Sequence, residues 1–175
     1  MTRTASPYPD GIDPVHAEPR GGAWRRWIAI LLLAGVMLAA LLGAFGGGKV
    51  RPLIVENRGA RLEVATPRVI RNGVFFETRL RVVARQPIDK AVITVDASLW
   101  RDMTINTMIP APSEEQVKDG AFRFDYGSLK PGETLDIKID GQINPPLFAG
   151  TRGRIALFDD ERELAALPLR ITVLP

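Results

Sequence analysis

Residues 27–45 read WIAILLLAGVMLAALLGAF, nineteen residues without a charge, preceded by Arg25 and Arg26 and followed by Gly46, Gly47, Gly48 and Lys49. Wound as a helix at 1.5 Å per residue, this run is about 28 Å long, close to the roughly 30 Å hydrocarbon thickness of a bilayer. Its six Leu, two Ile, one Val and one Phe each favour insertion by about 0.3 to 0.6 kcal/mol at the helix centre, with no charge opposing them. A buried soluble helix of this composition needs an apolar coat on every side, and a chain of 175 residues has little core with which to supply one. The run therefore reads as a membrane-spanning helix, and it divides the chain into a tail (1–23), the span (24–46), a linker (47–60) and one domain (61–175).

A cleaved signal peptide has a short n-region and an apolar run of about 7 to 15 residues, whereas here 26 residues precede a run of nineteen. A retained anchor is expected, with cleavage near Ala44 and Gly46 as the alternative. Basic residues stand on both sides of the span: Arg20, Arg25 and Arg26 before it, Lys49, Arg51, Arg58 and Arg61 after it. Long domains translocate largely regardless of charge, so the short tail is expected in the cytoplasm and the C-terminal domain outside. The tail, with Pro7, Pro9, Pro14 and Pro19 and no apolar period, reads as disordered. The lone histidine, His16, sits there without partners for catalysis or metal binding.

Cysteine is absent, which excludes a disulfide framework, a thiolate metal site and a cysteine nucleophile. Charge is graded along the chain. Residues 49–85 hold nine Lys or Arg against three Glu, +6, and residues 86–175 hold ten against fourteen Asp or Glu, −4. A basic membrane-proximal part suits lipid headgroups or an acidic partner, although arginines alternating on solvent faces of strands give the same count. Nucleic acid is not expected, because the basic residues neither cluster nor interleave with aromatic stackers.

Beyond residue 60 the apolar period becomes two. Residues 74–84 (VFFETRLRVVA) put Phe76, Thr78, Leu80 and Val82 on one face, and residues 91–100 (AVITVDASLW) put Ala91, Ile93, Val95 and Leu99 on one face, so both read as half-buried strands. Residues 103–109 continue weakly. Ser113, Glu114, Glu115 and Gln116 have the spacing of a capping box, with Gly120 as terminator, which predicts one or two helical turns. Strands follow at 122–126, 134–143, 154–158 and 167–174, with turns at Pro131-Gly132 and at the acidic stretch 159–163. Seven or eight short strands and almost no helix predict an all-β antiparallel sandwich. A hairpin of 74–84 with 91–100 would set Phe75 against Trp100, Arg79 against Asp96 and Val83 against Val92, all favourable pairs. The connection at 85–90 lacks a tight-turn signature, so placement of the two strands in opposite sheets is preferred.

The run LKPGETLDIKIDGQINPPLFAGTRGRIAL, with LRITV near the end, resembles the second half of immunoglobulin-like or fibronectin type III-like domains of bacterial membrane-anchored extracytoplasmic proteins. The resemblance is at the level of class and covers about residues 61–175. It implies an immunoglobulin-like sandwich of seven to eight strands, and a domain that binds or spaces instead of catalysing.

No nucleophile elbow, phosphate loop or metal-binding spacing is present, so no enzyme activity, catalytic residue, cofactor or metal is expected. The densest carboxylate group, Asp159, Asp160, Glu161 and Glu163, reads as a solvated hairpin tip, with a weak calcium site or a hydrolase as lesser alternatives. Apolar residues on the outward parity carry the binding expectation: Phe75 and Trp100, with Leu147 and Phe148 at the tip of a proline-stiffened loop. That loop serves equally as a plug for the end of the sandwich. The resulting expectation is a single-pass protein of a bacterial inner membrane whose extracytoplasmic domain contacts the bilayer and another envelope protein. The alternative is a carrier or bridge for a lipid-like ligand held between the sheets.

Overall fold

The computed structural model describes residues 23–145, 147 and 149–175; the tail with His16, and Phe148, lie outside them. Among these residues one helix, α1 (Ala23–Leu41), precedes eleven strands: β1 (Leu53–Glu56), β2 (Ala60–Ala65), β3 (Val69–Arg71), β4 (Phe75–Ala84), β5 (Ala91–Asp96), β6 (Met103–Ile109), β7 (Glu114–Lys118), β8 (Ala121–Asp125), β9 (Thr134–Ile143), β10 (Thr151–Asp159) and β11 (Arg162–Leu174). The chain forms two compact units, Met1–Ala39 and Ala40–Pro175. In α1 the segment Trp24–Leu41 is long and apolar enough to cross a membrane by length and composition. Its Leu31, Leu32 and Leu33 are exposed, whereas a helix apolar all round belongs in a protein core or a membrane. The helix stops at Leu41 instead of running to residue 46, because Gly43 and Gly46 adopt φ of 82° and 89°, a conformation that helices use to end.

The strands form two sheets, a five-stranded one in the order β1-β2-β4-β9-β6 and a six-stranded one in the order β3-β11-β10-β5-β8-β7. Pairing is antiparallel except between β3 and β11. This is the all-β sandwich that the period-two pattern implies, with more strands than seven or eight. β4 and β5 lie in opposite sheets, and the hairpin pairs of Phe75 with Trp100 and Arg79 with Asp96 do not form; Phe75 faces Gln142 and Arg79 faces Lys138. Between the sheets Leu62, Leu80, Ile93, Ile137, Ile139, Ile155 and Leu157 are fully buried. The space between the sheets is filled with side chains.

Three stretches depart from the expectation. Leu53–Glu56, read as linker, is β1, paired with β2; four residues are too few to show a period. Its hairpin is closed by Asn57, whose Oδ1 accepts from the N–H groups of Gly59 at 2.8 Å and Ala60 at 3.0 Å, an Asx turn. The expected helical turn at 113–116 is instead strand β7. Asp119 and Gly120 both take positive φ, 53° and 75°, the geometry of a two-residue type I′ hairpin loop, and Lys118 pairs with Ala121 across it. Finally, β5 ends at Asp96, where Leu99 N–H bonds back to the Asp96 carbonyl at 2.9 Å, so the alternation does not reach Trp100.

That turn sits against β10. Arg154 N–H donates to Asp96 Oδ2 at 2.8 Å and Ser98 Oγ to the Arg152 carbonyl at 3.0 Å. Gly153 makes the approach possible: a Cβ there would stand 2.9 Å from the Cβ atoms of Asp96 and Leu99. Proline is accommodated in β11 by topology. Pro168 pairs with Arg154 on one side, while β3 covers only Thr172, Val173 and Leu174 on the other, leaving the donor-less edge unpartnered at that level.

Candidate functional site

The four apolar residues singled out from parity and loop chemistry have different fates. Phe75 is 68% exposed. It begins β4 on the outward parity, and β2 stops short of it, its last pair being Ala65 with Arg79. Trp100 is a correction: it is half-buried in the turn after β5, with its ring centroid 5.7 Å from those of Phe122 and Phe124. The parity argument assumed a strand through residue 100, and the turn at Asp96 rotates the indole onto β8. Leu147 is also a correction. At 1% exposed it belongs to the core, with its N–H bonded to the Asn144 carbonyl at 3.0 Å; it plugs the end of the sandwich. Val92, on the opposite parity from Ala91, Ile93 and Val95, is 3% exposed, because β5 is covered on both faces.

The outer cover of β5 is polar. Val92 lies between Asp125 and Phe158, and Thr94 between Arg123 and Ala156. The Arg123 guanidinium lies 5.4 Å over the Phe158 ring, and Lys90 Nζ reaches Asp125 at 3.2 Å. The Asp125 carboxylate beside it raises the Lys90 pKa. A shallow pocket of about 120 Å³ opens here, lined by Lys90, Glu114, Arg123, Asp125, Asp160 and Glu161, and its charges are compensated internally, Lys118 pairing with Glu161 at 2.9 Å.

The acidic turn is structural in its details. Asp159 Oδ1 accepts from the N–H groups of Asp89 at 2.9 Å and Lys90 at 3.2 Å, and Oδ2 accepts from Arg162 at 2.9 Å. Burial works against the charged form, but the Lys90 N–H, Arg162 and the Asp89 N–H outweigh it and hold the carboxyl below the usual range. A carboxylate so committed ties the β10–β11 turn to the chain before β5. Among the described residues no group of three or more His, Cys, Asp or Glu is arranged to hold a metal ion.

The outer face of the five-stranded sheet carries a ladder of ion pairs. Glu77 meets Arg79 at 2.5 Å and Lys138 at 3.1 Å, Arg81 meets Asp136 at 2.6 Å, and Lys138 meets Asp140 at 3.2 Å. Hydrogen bonds from Arg79 and then Lys138 lower the Glu77 pKa, and Lys138 followed by the Thr107 hydroxyl lowers that of Asp140. Around this solvated centre stand three exposed apolar side chains: Phe75, Ile54 at 47% and Ile109 at 60%.

A second feature escaped sequence reasoning. The connector folds back beside β3: a Cβ on Gly46 would lie 3.3 Å from the Val69 carbonyl oxygen, and Arg71 Nε donates to the Phe45 carbonyl at 3.4 Å. Between connector, β3 and the start of β4 lies a cleft of about 1050 Å³. Lys49, Arg51, Arg68 and Arg71 line it together with Val50, Val69, Val74 and Phe75. No Asp or Glu is among its lining residues. The available signal was a run of acid-free sequence on each side, residues 42–55 and 64–76, which the overall charge count blurs.

No protein-family model matches the chain, and none of the curated proteins matches it. Among solved structures it is similar to the chitin-binding domain of a hyperthermophilic chitinase from Pyrococcus furiosus, at 18% identity over 67% of this chain and 100% of that one, with a TM-score of 0.41. It is also similar to a non-cellulosomal cohesin from the archaeon Archaeoglobus fulgidus, at 8% identity over 65% of this chain and 91% of that one, with a TM-score of 0.38. At these identities and TM-scores the likeness carries nothing about ligand or activity.

Proposed function

We propose that the chain is a single-pass, membrane-anchored binding or accessory module of a bacterial inner membrane, its sandwich lying outside the cytoplasm and contacting another envelope protein. One observation carries the contact: Phe75 is left 68% exposed at the margin of a sheet face otherwise occupied by ion pairs. Aromatic residues, Phe among them, are enriched in the cores of protein contacts, and rim charges of both signs give such a contact orientation. Ile54 and Ile109 extend the apolar margin. The membrane part rests on α1, whose length and composition suit a span. The reading assigns no catalytic role, and Asp159 supports that assignment, since its carboxylate is held by backbone N–H groups and an arginine.

The test is recovery of the full-length protein from native membranes in mild detergent, read by mass spectrometry beside Phe75→Ala. A specific envelope protein recovered with the native form and lost with the variant is the expected result. Identical recoveries with both forms would remove Phe75 from the contact. Extraction with alkaline carbonate checks the anchor separately: a spanning chain stays in the pellet, and release into the supernatant would refute it.

A further inference from the structure

We infer that the cleft between the connector and β3 seats an anionic phospholipid, its phosphate held by Arg68, Arg71, Lys49 and Arg51 and its acyl chain lying against Val50, Val69 and Val74. The inference rests on the membrane-anchored reading, and it adds a ligand and a site to it.

Three features of the cleft select that occupant. The first is charge. Arg61, Arg79, Arg81, Arg85, Arg123, Arg154 and Arg162 all meet carboxylates in ion pairs. Among the described residues the four cations of the cleft have no such carboxylate partner, and none lines the cleft. Unpaired cations concentrated in one concavity bind an anion, and guanidinium forks fit phosphate oxygens in particular. The second is the apolar wall. Val50 and Val74 are 39% and 44% exposed, and with Val69 they give hydrocarbon a surface that a free phosphate would not use. Volume agrees: about 1050 Å³ exceeds the roughly 300 to 1,000 Å³ of ordinary small-ligand pockets, enough for a headgroup and the upper part of an acyl chain. The third is the tether. Gly46 follows the last residue of α1 by five positions, at most about 18 Å of extended chain, so a spanning α1 delivers this wall of the cleft to the headgroup level. A water-borne carrier needs no such delivery, which separates a fixed lipid clamp from a shuttle.

The full-length protein in mild detergent is titrated with dioleoylphosphatidylglycerol and, in parallel, with dioleoylphosphatidylcholine, bound lipid being counted by native mass spectrometry. The native chain is expected to prefer the anionic lipid. Arg68→Gln/Arg71→Gln should lose that preference by between about fivefold and thirtyfold, given about 1 kcal/mol for each basic residue near an anionic surface. Arg170→Gln, which removes the same kind of charge from an exposed position on β11, should leave it unchanged. Equal binding of both lipids by the native chain would overturn the inference. So would full preference in the double variant, since the anionic lipid would then be held elsewhere, as at Arg25 and Arg26. In the unaltered protein, a phosphatidylglycerol carrying a photoactivatable acyl chain should label residues 42–53 and 66–76; label confined to residues 23–41 would also overturn it. None of these readings depends on recovery of a protein partner, and carbonate extraction reports on the anchor alone, so failure of the lipid site and failure of the module reading are separable.

Discussion

Leu147→Ala separates a structural loop from a binding loop, and the structure sets its size. Leu147 is 1% exposed at the end of the sandwich, so truncation removes three buried carbons. At about 0.8 kcal/mol for each CH₂ the transfer contribution alone is about 2.4 kcal/mol; with the cavity left behind, buried Leu to Ala changes fall between about 2 and 5 kcal/mol. For a unit of the size of Ala40–Pro175, each kcal/mol moves Tm by about 3 to 6 °C, so a fall of roughly 6 °C or more is expected. Phe75→Ala removes a larger side chain, yet at 68% exposure it should cost no more than about 1 kcal/mol, mostly through the preference of strands for aromatic residues. The assay is thermal unfolding of the full chain in detergent. Trp24 and Trp27 are replaced by Phe, so that Trp100, whose ring lies tilted against Phe122 and Phe124, reports the sandwich alone. A Leu147→Ala shift no larger than that of Phe75→Ala would refute the assignment of Leu147 to the core.

Other outcomes follow from particular contacts. Gly153→Ala should destabilise the sandwich by about 1 to 3 kcal/mol, because its Cβ would meet the Cβ atoms of Asp96 and Leu99 at 2.9 Å and the Leu99 nitrogen at 3.1 Å; chemical denaturation measures it, and a neutral result would show that the turn yields. The Tyr126 phenol, whose pKa burial followed by the charge of Glu115 pushes up to about 12, is favoured in its neutral form by the fold. Its contribution should therefore be level below about pH 10 and be lost as pH rises from 10 to 12, by about 1 to 2 kcal/mol after allowance for partial exposure; Tyr126→Phe should lose correspondingly less stability over that range. Glu77 and Asp140, lowered chiefly by Arg79 and Lys138 respectively, contribute stability above about pH 4.5 that is lost on acidification. Native and Glu77→Gln proteins should therefore converge as denaturation is followed from pH 6 to pH 3.

The sandwich was legible because its central strands alternate: every second residue is buried from Phe76 to Ala84 in β4 and from Ile137 to Ile143 in β9, and period two needs no tertiary information. β7 was misread because Ser113 and Gln116 satisfy a capping rule locally, while Asp119-Gly120 satisfies a hairpin rule; β8 decides between them by offering a ladder. The error at Trp100 has the same origin. Parity is a property of a strand, and the turn in which the Leu99 N–H bonds back to the Asp96 carbonyl ends the strand first. Val92 and Thr94 show a further limit, since Arg123 of β8 and Phe158 of β10 cover a face that the pattern left open. The cleft was hidden for a simpler reason: its cations come from residues 49–51 and 68–71, separated by an entire hairpin.

β7 has consequences for how the sandwich opens. All five of its residues are exposed, and Val117, its apolar member, is 71% so; its attachments are the ladder to β8, the turn at Asp119-Gly120, the Ser113 bonds to the Asp125 carbonyl and the solvent-exposed ion pairs of Lys118 with Glu161 and Glu114 with Lys90. A strand that buries nothing opens without disturbing the core, so its amides should exchange with deuterium orders of magnitude faster than those of β5 and β10, where local opening approaches global unfolding. The sandwich should therefore fray from this edge inward, and a protease acting on the native fold should make its first cut between β6 and β8.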